Sequence, residues 1–389
     1  MKIQSKLPSV GTTIFTLMSQ LATEHKAINL GQGFPDFNPE RELIDHVHQA
    51  MLDGMNQYPP MAGLLSLRER ISNKVQSLYG HTYDVDTEIT VTSGASEALM
   101  SSILAFVHQG DEVIVIEPFY DLYLPAIELA GGRAVPVSMT PPQGPSGRYS
   151  VEWNKVEAAI TSKTRLLIIN FPHNPSGITL DASDLDALEN IIKKHNILIL
   201  SDEVYEHLVF DGESHLSMAT RPALAACSII VSSFGKTFHA TGWKVGYCCA
   251  PKELSLEIRK VHQFNVFTVP TPLQEGLSRF LQNPNNYAAL PVFYQRKRDR
   301  LIAGLSSSKF RVLPSEGTFF LLADYSALSE MNEFDFSVWL TKEHGVGVIP
   351  VSAFYQDPQA ESSNQQLIRF CFAKQDHTLD QAIEKLIQL

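Results

Sequence analysis

The chain is 389 residues long, 44% of them hydrophobic, and carries a formal net charge of −11. That length and apolar content suit two or three packed domains. No stretch is strongly basic, which argues against nucleic acid or an anionic membrane surface as the main partner, because both require clustered Lys and Arg.

The start, MKIQSKLPSV, runs into mixed polar sequence, and no unbroken apolar run reaches bilayer-spanning length. Residues 1–40 do not belong obviously to a central sheet and read as an N-terminal arm with part of a small domain. Beyond them, strand-like runs alternate with helical patterns. The expected strands are Ile89–Ser93, Val113–Glu117, Ala134–Ser138, Arg165–Asn170, Ile197–Ser201, Ser228–Ser232 and Val245–Ala250. Several, such as Ile197–Leu200, are apolar at successive positions, as strands buried on both faces are. The expected helices are Ala95–His108, Leu122–Ala130, Asp184–His195 and Pro251–Phe264. In the third, Leu185, Leu188, Ile191 and Ile192 mark one face, and Asp181 with Asp184 supplies a polar start. The run PPQGPSGRYS, Pro141–Ser150, reads as an exposed loop. Residues 41–284 thus form a large α/β domain around a mostly parallel sheet of about seven strands.

After Pro284 the pattern changes. A charged helical stretch, Tyr294–Leu305, leads to short strands at Phe310–Leu313, Thr318–Leu322 and Leu367–Phe372. A last amphipathic helix, Leu379–Leu389, completes a smaller α+β domain over residues 285–389. Four cysteines (Cys227, Cys248, Cys249, Cys371) do not make a disulfide scaffold, and no Cys or His set has structural-zinc spacing, so no metal is expected. The adjacent pair Cys248-Cys249 reads as a strand crossing the core. A soluble protein of a reducing compartment, the cytoplasm, fits these features.

The sharpest chemical signal is SSFGKTF, Ser232–Phe238, followed by TGWKVG, Thr241–Gly246. Lys236 lies just past an apolar strand, beside Gly235. A lysine amine becomes a carbonyl-condensing group when its charge is disfavoured. The run TSGASE, Thr92–Glu97, joins a strand to a helix start, where small residues let a phosphate approach free backbone N–H groups. Ser233 and Lys244 could complete that cradle, although the Gly94 motif alone is equally an ordinary tight turn. Asp202 directly follows the Ile197–Ser201 strand, and Asn174 sits in a Pro-rich loop after Arg165–Asn170. Open parallel sheets place their sites beyond the carboxyl ends of strands. Lys236, Gly94, Asp202 and Asn174 therefore fall in one layer.

Four segments carry a family resemblance: NFPHNPSG (Asn170–Gly177), SDEVYEHLVF (Ser201–Phe210), SSFGKTFHATGWKVGY (Ser232–Tyr247) and LIRFCFAK (Leu367–Lys374). They resemble the signatures of the class I/II pyridoxal-phosphate-dependent aminotransferases of fold type I. The likeness is greatest to the kynurenine/glutamine-transaminase-like group and to bacterial methionine aminotransferases, and it runs from NLGQGFP (Asn29–Pro35) to Arg369. The resemblance implies that Lys236 carries pyridoxal 5′-phosphate (PLP) covalently and that Asp202 pairs with the pyridinium nitrogen. Tyr205 and Asn174 would bond the cofactor's 3′-oxygen, and Tyr120 would stack on the ring. Gly94, Ala95, Ser96, Ser233 and Lys244 would hold the phosphate. Arg369, helped by backbone around Gly33, would clamp the substrate carboxylate. Tyr58 resembles the tyrosine that reaches the phosphate from a partner subunit, which implies a homodimer with shared sites. Many relatives have arginine where this chain has Lys244; the cation is kept, but not the planar fork.

On this reading Lys236 also shuttles the substrate proton, so no separate histidine is required. His173 and His239, both inside motifs, remain candidates for pocket or supporting roles. The expected reaction moves an amino group from a large uncharged amino acid, methionine first and aromatic donors next, to a 2-oxo acid. A dicarboxylate donor would want a second cation, and no arginine in a recognised donor-pocket motif claims that role. Phe15, Phe34, Tyr123 and Phe319 are candidates for apolar lining, or equally for ordinary core. The rival enzymatic reading is a PLP-dependent carbon–sulfur β-lyase, which uses the same lysine. A purely regulatory or binding role is disfavoured by the presence of Lys236, Asp202 and Arg369 together.

Overall fold

Seven short strands pair into one sheet, in the spatial order Ile89–Thr92, Gly246–Cys249, Ser228–Ser233, Leu198–Asp202, Thr164–Asn170, Glu112–Glu117 and Arg133–Ser138. The structure is a computed structural model that describes residues 3–144 and 147–389. Within the expected loop Pro141–Ser150, Pro145 and Ser146 lie outside the described residues. Gly246–Cys249 runs antiparallel to both neighbours, and the other pairings are parallel.

The continuous apolar runs have a direct structural cause. Every residue of Glu112–Glu117 and of Ser228–Ser233 is buried. Ile114, Leu167, Ile199 and Ile230 face one core, and their chain neighbours Val113, Leu166, Leu200 and Ile229 face the other. Helices on both sides cover these faces, so each strand is apolar at consecutive positions. Cys248 and Cys249 follow the same alternation, one into each core, and both are free thiols. Helix Ala182–Lys194 begins with a capping box: the Asp181 side chain accepts from the Ser183 and Asp184 amides, and Asp184 accepts from the Asp181 amide at 2.8 Å.

The smaller sheet is antiparallel, in the order Ile349–Pro350, Leu367–Cys371, Phe320–Asp324 and Arg311–Val312. Residues Ile28–Asn29 pair in parallel with Val346–Gly347, which joins the start of the chain to this half of the molecule. The strand expected at Thr318–Leu322 runs instead from Phe320 to Asp324. Thr318 has φ +68°, and its hydroxyl accepts from the Phe320 amide at 3.0 Å, so the chain turns there before it extends. The last helix spans Asp376–Leu386, shifted towards the N-terminus from the expected Leu379–Leu389. Helices Ile14–Glu24, Arg41–Leu52, Leu65–Tyr79, Thr271–Phe280 and Glu333–His344 were not anticipated from the sequence.

Candidate active site

Three parallel strands end side by side, and each delivers its next residues to one cavity of about 290 Å³. Leu198–Asp202 delivers Asp202 and Tyr205, Ser228–Ser233 delivers Ser233 and Lys236, and Thr164–Asn170 delivers Asn174. Gly94, Ala95 and Ser96 enter from the start of helix Gly94–Phe106, and Lys244 from just before Gly246–Cys249. Gly33, Tyr120 and Arg369 line the same cavity.

Asp202 is buried and only partly satisfied. The Tyr123 hydroxyl donates to its Oδ2 at 2.7 Å, while Oδ1 has one long contact, 3.4 Å, with the Val204 amide. Burial pushes this carboxyl up to about 6, and the Tyr123 bond opposes the rise. An acid with spare acceptor capacity in a dry wall is suited to a cationic ring nitrogen.

Lys236 sits on the short helical turn Phe234–Thr237, whose start is capped by the Ser233 side chain. Its amine donates to the Gly33 carbonyl at 2.9 Å and lies 5.3 Å from the centre of the Phe319 ring. Burial lowers its pKa to about 8. The uncharged, nucleophilic form is therefore accessible near neutrality, far below the ordinary lysine value of about 10.4.

The third component is an anion cradle. Gly94 has φ +71°, and a Cβ there would come within 3.3 Å of the Lys244 side chain. Both backbone freedom and close approach call for glycine. Lys244 holds a left-handed conformation (φ +53°), and its amine is 3.5 Å from the Ser96 hydroxyl. Gly94, Ala95 and Ser96, the opening residues of helix Gly94–Phe106, line the same space, and a helix start is where phosphates are received.

Arg369 is buried among rings. Its guanidinium carbon lies 3.8 Å from the centre of Phe320, 4.9 Å from Phe354 and 5.4 Å from Phe15. One terminal nitrogen donates to Asn174 Oδ1 at 2.6 Å and the other to the Gly31 carbonyl at 2.9 Å. No residue accepts from Nε among the described residues. No carboxylate pairs with this buried cation either, so its charge is available to a ligand.

For residues that the sequence leaves open, the structure separates lining from packing. Tyr123 does not line the cavity; it is buried and holds Asp202. Phe319 is fully buried against Tyr205, and its neighbour Phe320 lines the cavity instead. Phe15 and Phe34 do line it. His173 lies outside the lining, with its ring 2.9 Å from the Pro118 carbonyl and 2.6 Å from the Ser176 hydroxyl; burial lowers its pKa to about 4. His239 also lies outside, bonded to the Tyr294 hydroxyl at 2.9 Å. Both histidines hold local structure. Tyr58 is not brought to this cavity within the protomer: it is 83% exposed and stands on Phe267.

The sequence reading missed Asn170, whose amide donates to the Asp202 carbonyl at 2.9 Å and whose oxygen accepts from the Asn174 amide at 3.0 Å. Its place at the head of NFPHNPSG was the available signal.

An amine of lowered pKa, a buried acid and an anion cradle meet in one cavity, and they fit PLP. Fold and site together define a fold type I PLP-dependent transferase. The model of "Aminotransferase class I and II" matches residues 25–386. The chain is 50% identical over 387 residues to a methionine aminotransferase of Escherichia coli K12, covering 99% of this chain and 98% of that one. It is 36% identical over 420 residues to a kynurenine–oxoglutarate transaminase of Dictyostelium discoideum, covering 100% of this chain and 96% of that one. Among solved structures, YbdL of Escherichia coli, identified with a methionine aminotransferase function, superposes with TM-score 0.96 at 49% identity, covering 100% of both chains. The N-succinyldiaminopimelate aminotransferase of Mycobacterium tuberculosis superposes with TM-score 0.94 at 40% identity, with the same coverage. The chain belongs to the class I and II aminotransferases.

Proposed function

We propose that the protein moves the α-amino group of a large uncharged amino acid onto a 2-oxo acid, with PLP held by Lys236, methionine the preferred donor and aromatic amino acids next. The observation that carries the donor class is the supply of cations. Among the described lining residues these are Lys236, Lys244 and Arg369. The first serves the cofactor, the second its phosphate and the third the donor's α-carboxylate, which leaves none for a distal carboxylate. Phe15, Phe34 and Phe320 supply an apolar wall. A thioether gains about 0.3–1.5 kcal/mol against such rings. The methionine aminotransferase and kynurenine transaminases among the relatives support the same ranking.

Bound there, PLP supplies a sink for the electron pair left at Cα and a carrier for the amino group between two half-reactions. The residues of the chain do the rest. Asp202 would keep the ring nitrogen positive, with Tyr123 fixing its carboxylate. Tyr205 and Asn174 would bond the 3′-oxygen, and Tyr120 would pack against the ring. Gly94, Ala95, Ser96, Ser233 and Lys244 would anchor the phosphate. Arg369, itself oriented by Asn174 and the Gly31 carbonyl, fixes the donor carboxylate, and the aromatic wall around it excludes water. The Lys236 amine, with its lowered pKa, would accept the proton that the donor's Cα gives up and return it as a general acid. The functional unit we propose is a homodimer in which the partner subunit's Tyr58 completes the phosphate site.

A panel of amino donors, each paired with several 2-oxo acids and ranked by kcat/KM, tests the specificity. Methionine and the aromatics should lead. Aspartate or glutamate leading would mean that a distal cation serves the site after all.

A further inference from the structure

His262 lies in the last turn of helix Lys252–Asn265 and is fully buried. Its ring joins two elements that the chemistry above leaves separate. Nδ1 is 3.1 Å from Glu97 Oε1, and Nε2 is 3.1 Å from the Met61 carbonyl oxygen. The ring thus bridges a side chain of the cradle helix and a backbone carbonyl of the Met61 loop.

Each partner leads to a functional segment. Glu97 stands in the first turn of the cradle helix, accepting from the Ser93 amide at 3.1 Å and from the Ser101 hydroxyl at 2.6 Å. It thus fixes the backbone immediately before Gly94, Ala95 and Ser96. Met61 belongs to the loop that carries Tyr58, a loop tied to the central sheet where the Val91 amide donates to the Ala62 carbonyl at 3.0 Å. The backbone carbonyl of His262 accepts from the Val266 and Phe267 amides at 3.0 and 2.9 Å. Phe267, at φ +73°, stands edge-on to Tyr58 with ring centres 5.4 Å apart. One buried residue therefore connects the cradle of a protomer to the aromatic pair that the same protomer exposes.

We propose that His262 is a positioning residue that sets Tyr58 relative to the phosphate cradle, so that the state of one site influences cofactor affinity in the neighbouring site. The proposal rests on the reading of Tyr58 as a residue lent to the partner subunit. A structural role confined to its own protomer would not produce an effect across the dimer.

Hybrid dimers separate the two. One protomer carries Lys236→Ala, so lysine-bound PLP absorbance reports only the unaltered protomer. Adding His262→Phe to the Lys236→Ala protomer should weaken PLP binding in the unaltered one by about tenfold, the loss expected for a displaced charge-assisted contact. His262→Gln, a milder change that keeps one donating nitrogen, should give a smaller loss in the same direction and serves where the Phe variant fails to fold. Tyr58→Phe in the same protomer is the control for the shared site. If Tyr58→Phe weakens binding across the dimer while both His262 variants leave it unchanged, the relay is wrong. If Tyr58→Phe also leaves it unchanged, the shared-site reading is wrong and the relay falls with it.

Discussion

Asp202 and Glu206 belong to one run, SDEVYEHLVF, and both are buried, yet their surroundings are opposite in kind. Glu206 accepts from Lys74 at 2.6 Å, from the Tyr79 hydroxyl at 2.7 Å, from the Tyr247 hydroxyl at 2.9 Å and from the Ser232 hydroxyl. Burial pushes its carboxyl up, but the Lys74 charge and these donors outweigh it and hold the group far below the ordinary carboxylate range. Asp202 has one good donor, Tyr123, and ends up raised to about 6. Burial alone does not set the charge of a carboxyl; the number of donors left facing it does. The saturated carboxylate joins strands Ser228–Ser233 and Gly246–Cys249, through Ser232 and Tyr247, to helix Leu65–Tyr79, through Lys74 and Tyr79. The unsaturated one has capacity left for a ligand.

The comparison breaks first at Asp202. Asp202→Asn removes the anion that keeps a ring nitrogen positive, and kcat/KM should fall about thousandfold, the scale of a lost electrostatic stabiliser. Thermal stability of the cofactor-free protein should hold or rise, because a poorly satisfied buried charge has gone. A loss below about tenfold would mean that Asp202 is not the cofactor's partner. Lys74→Met makes the converse case, leaving Glu206 buried without its cation. Urea unfolding should show a cost of about 3–5 kcal/mol, with kcat/KM per folded molecule within about threefold of the parent. A large catalytic loss with unchanged stability would move Glu206 into the chemistry.

Tyr123→Phe sharpens the comparison with a smaller effect. The Tyr123 bond lowers the Asp202 pKa, so its removal raises that pKa further above the carboxylate range. A protonated Asp202 cannot pair with a cation, and the fraction protonated grows as pH falls. The acid limb of the kcat/KM profile should therefore move to higher pH, by about one unit for a single lost bond to a charged group. An unmoved limb would leave Tyr123 as packing only.

Much of this was legible in the sequence, and the gaps have physical causes. Most of the central strands were readable because burial on both faces writes apolar runs, the half-buried edge strand Arg133–Ser138 being the exception, and all seven lie within a residue or two of their expected places. Lys236, Asp202, Asn174 and Gly94 could be grouped because parallel strands bring their following residues to one edge. Phe319 and Phe320 show where such reasoning stops. Phe319 lies just before the strand and Phe320 opens it, and the turn at Thr318 sets which one meets the cavity. Tyr123 stays open between lining and core in the sequence, because its hydrogen bond to Asp202 crosses between segments that share no sequence pattern. Lys74 and Glu206 pair across the fold for the same reason. Helix Leu65–Tyr79 went unread although Leu67, Ile71 and Val75 mark its buried face, since Arg68, Ser72 and Lys74 are buried with them and blur the apolar stripe.

The central claim is that Lys236 carries the cofactor. Protein purified with PLP, reduced with borohydride and mapped by peptide mass spectrometry tests it directly. The account predicts one pyridoxyl adduct, on Lys236; an adduct confined to Lys244 or another lysine, or none in freshly prepared protein, would contradict it.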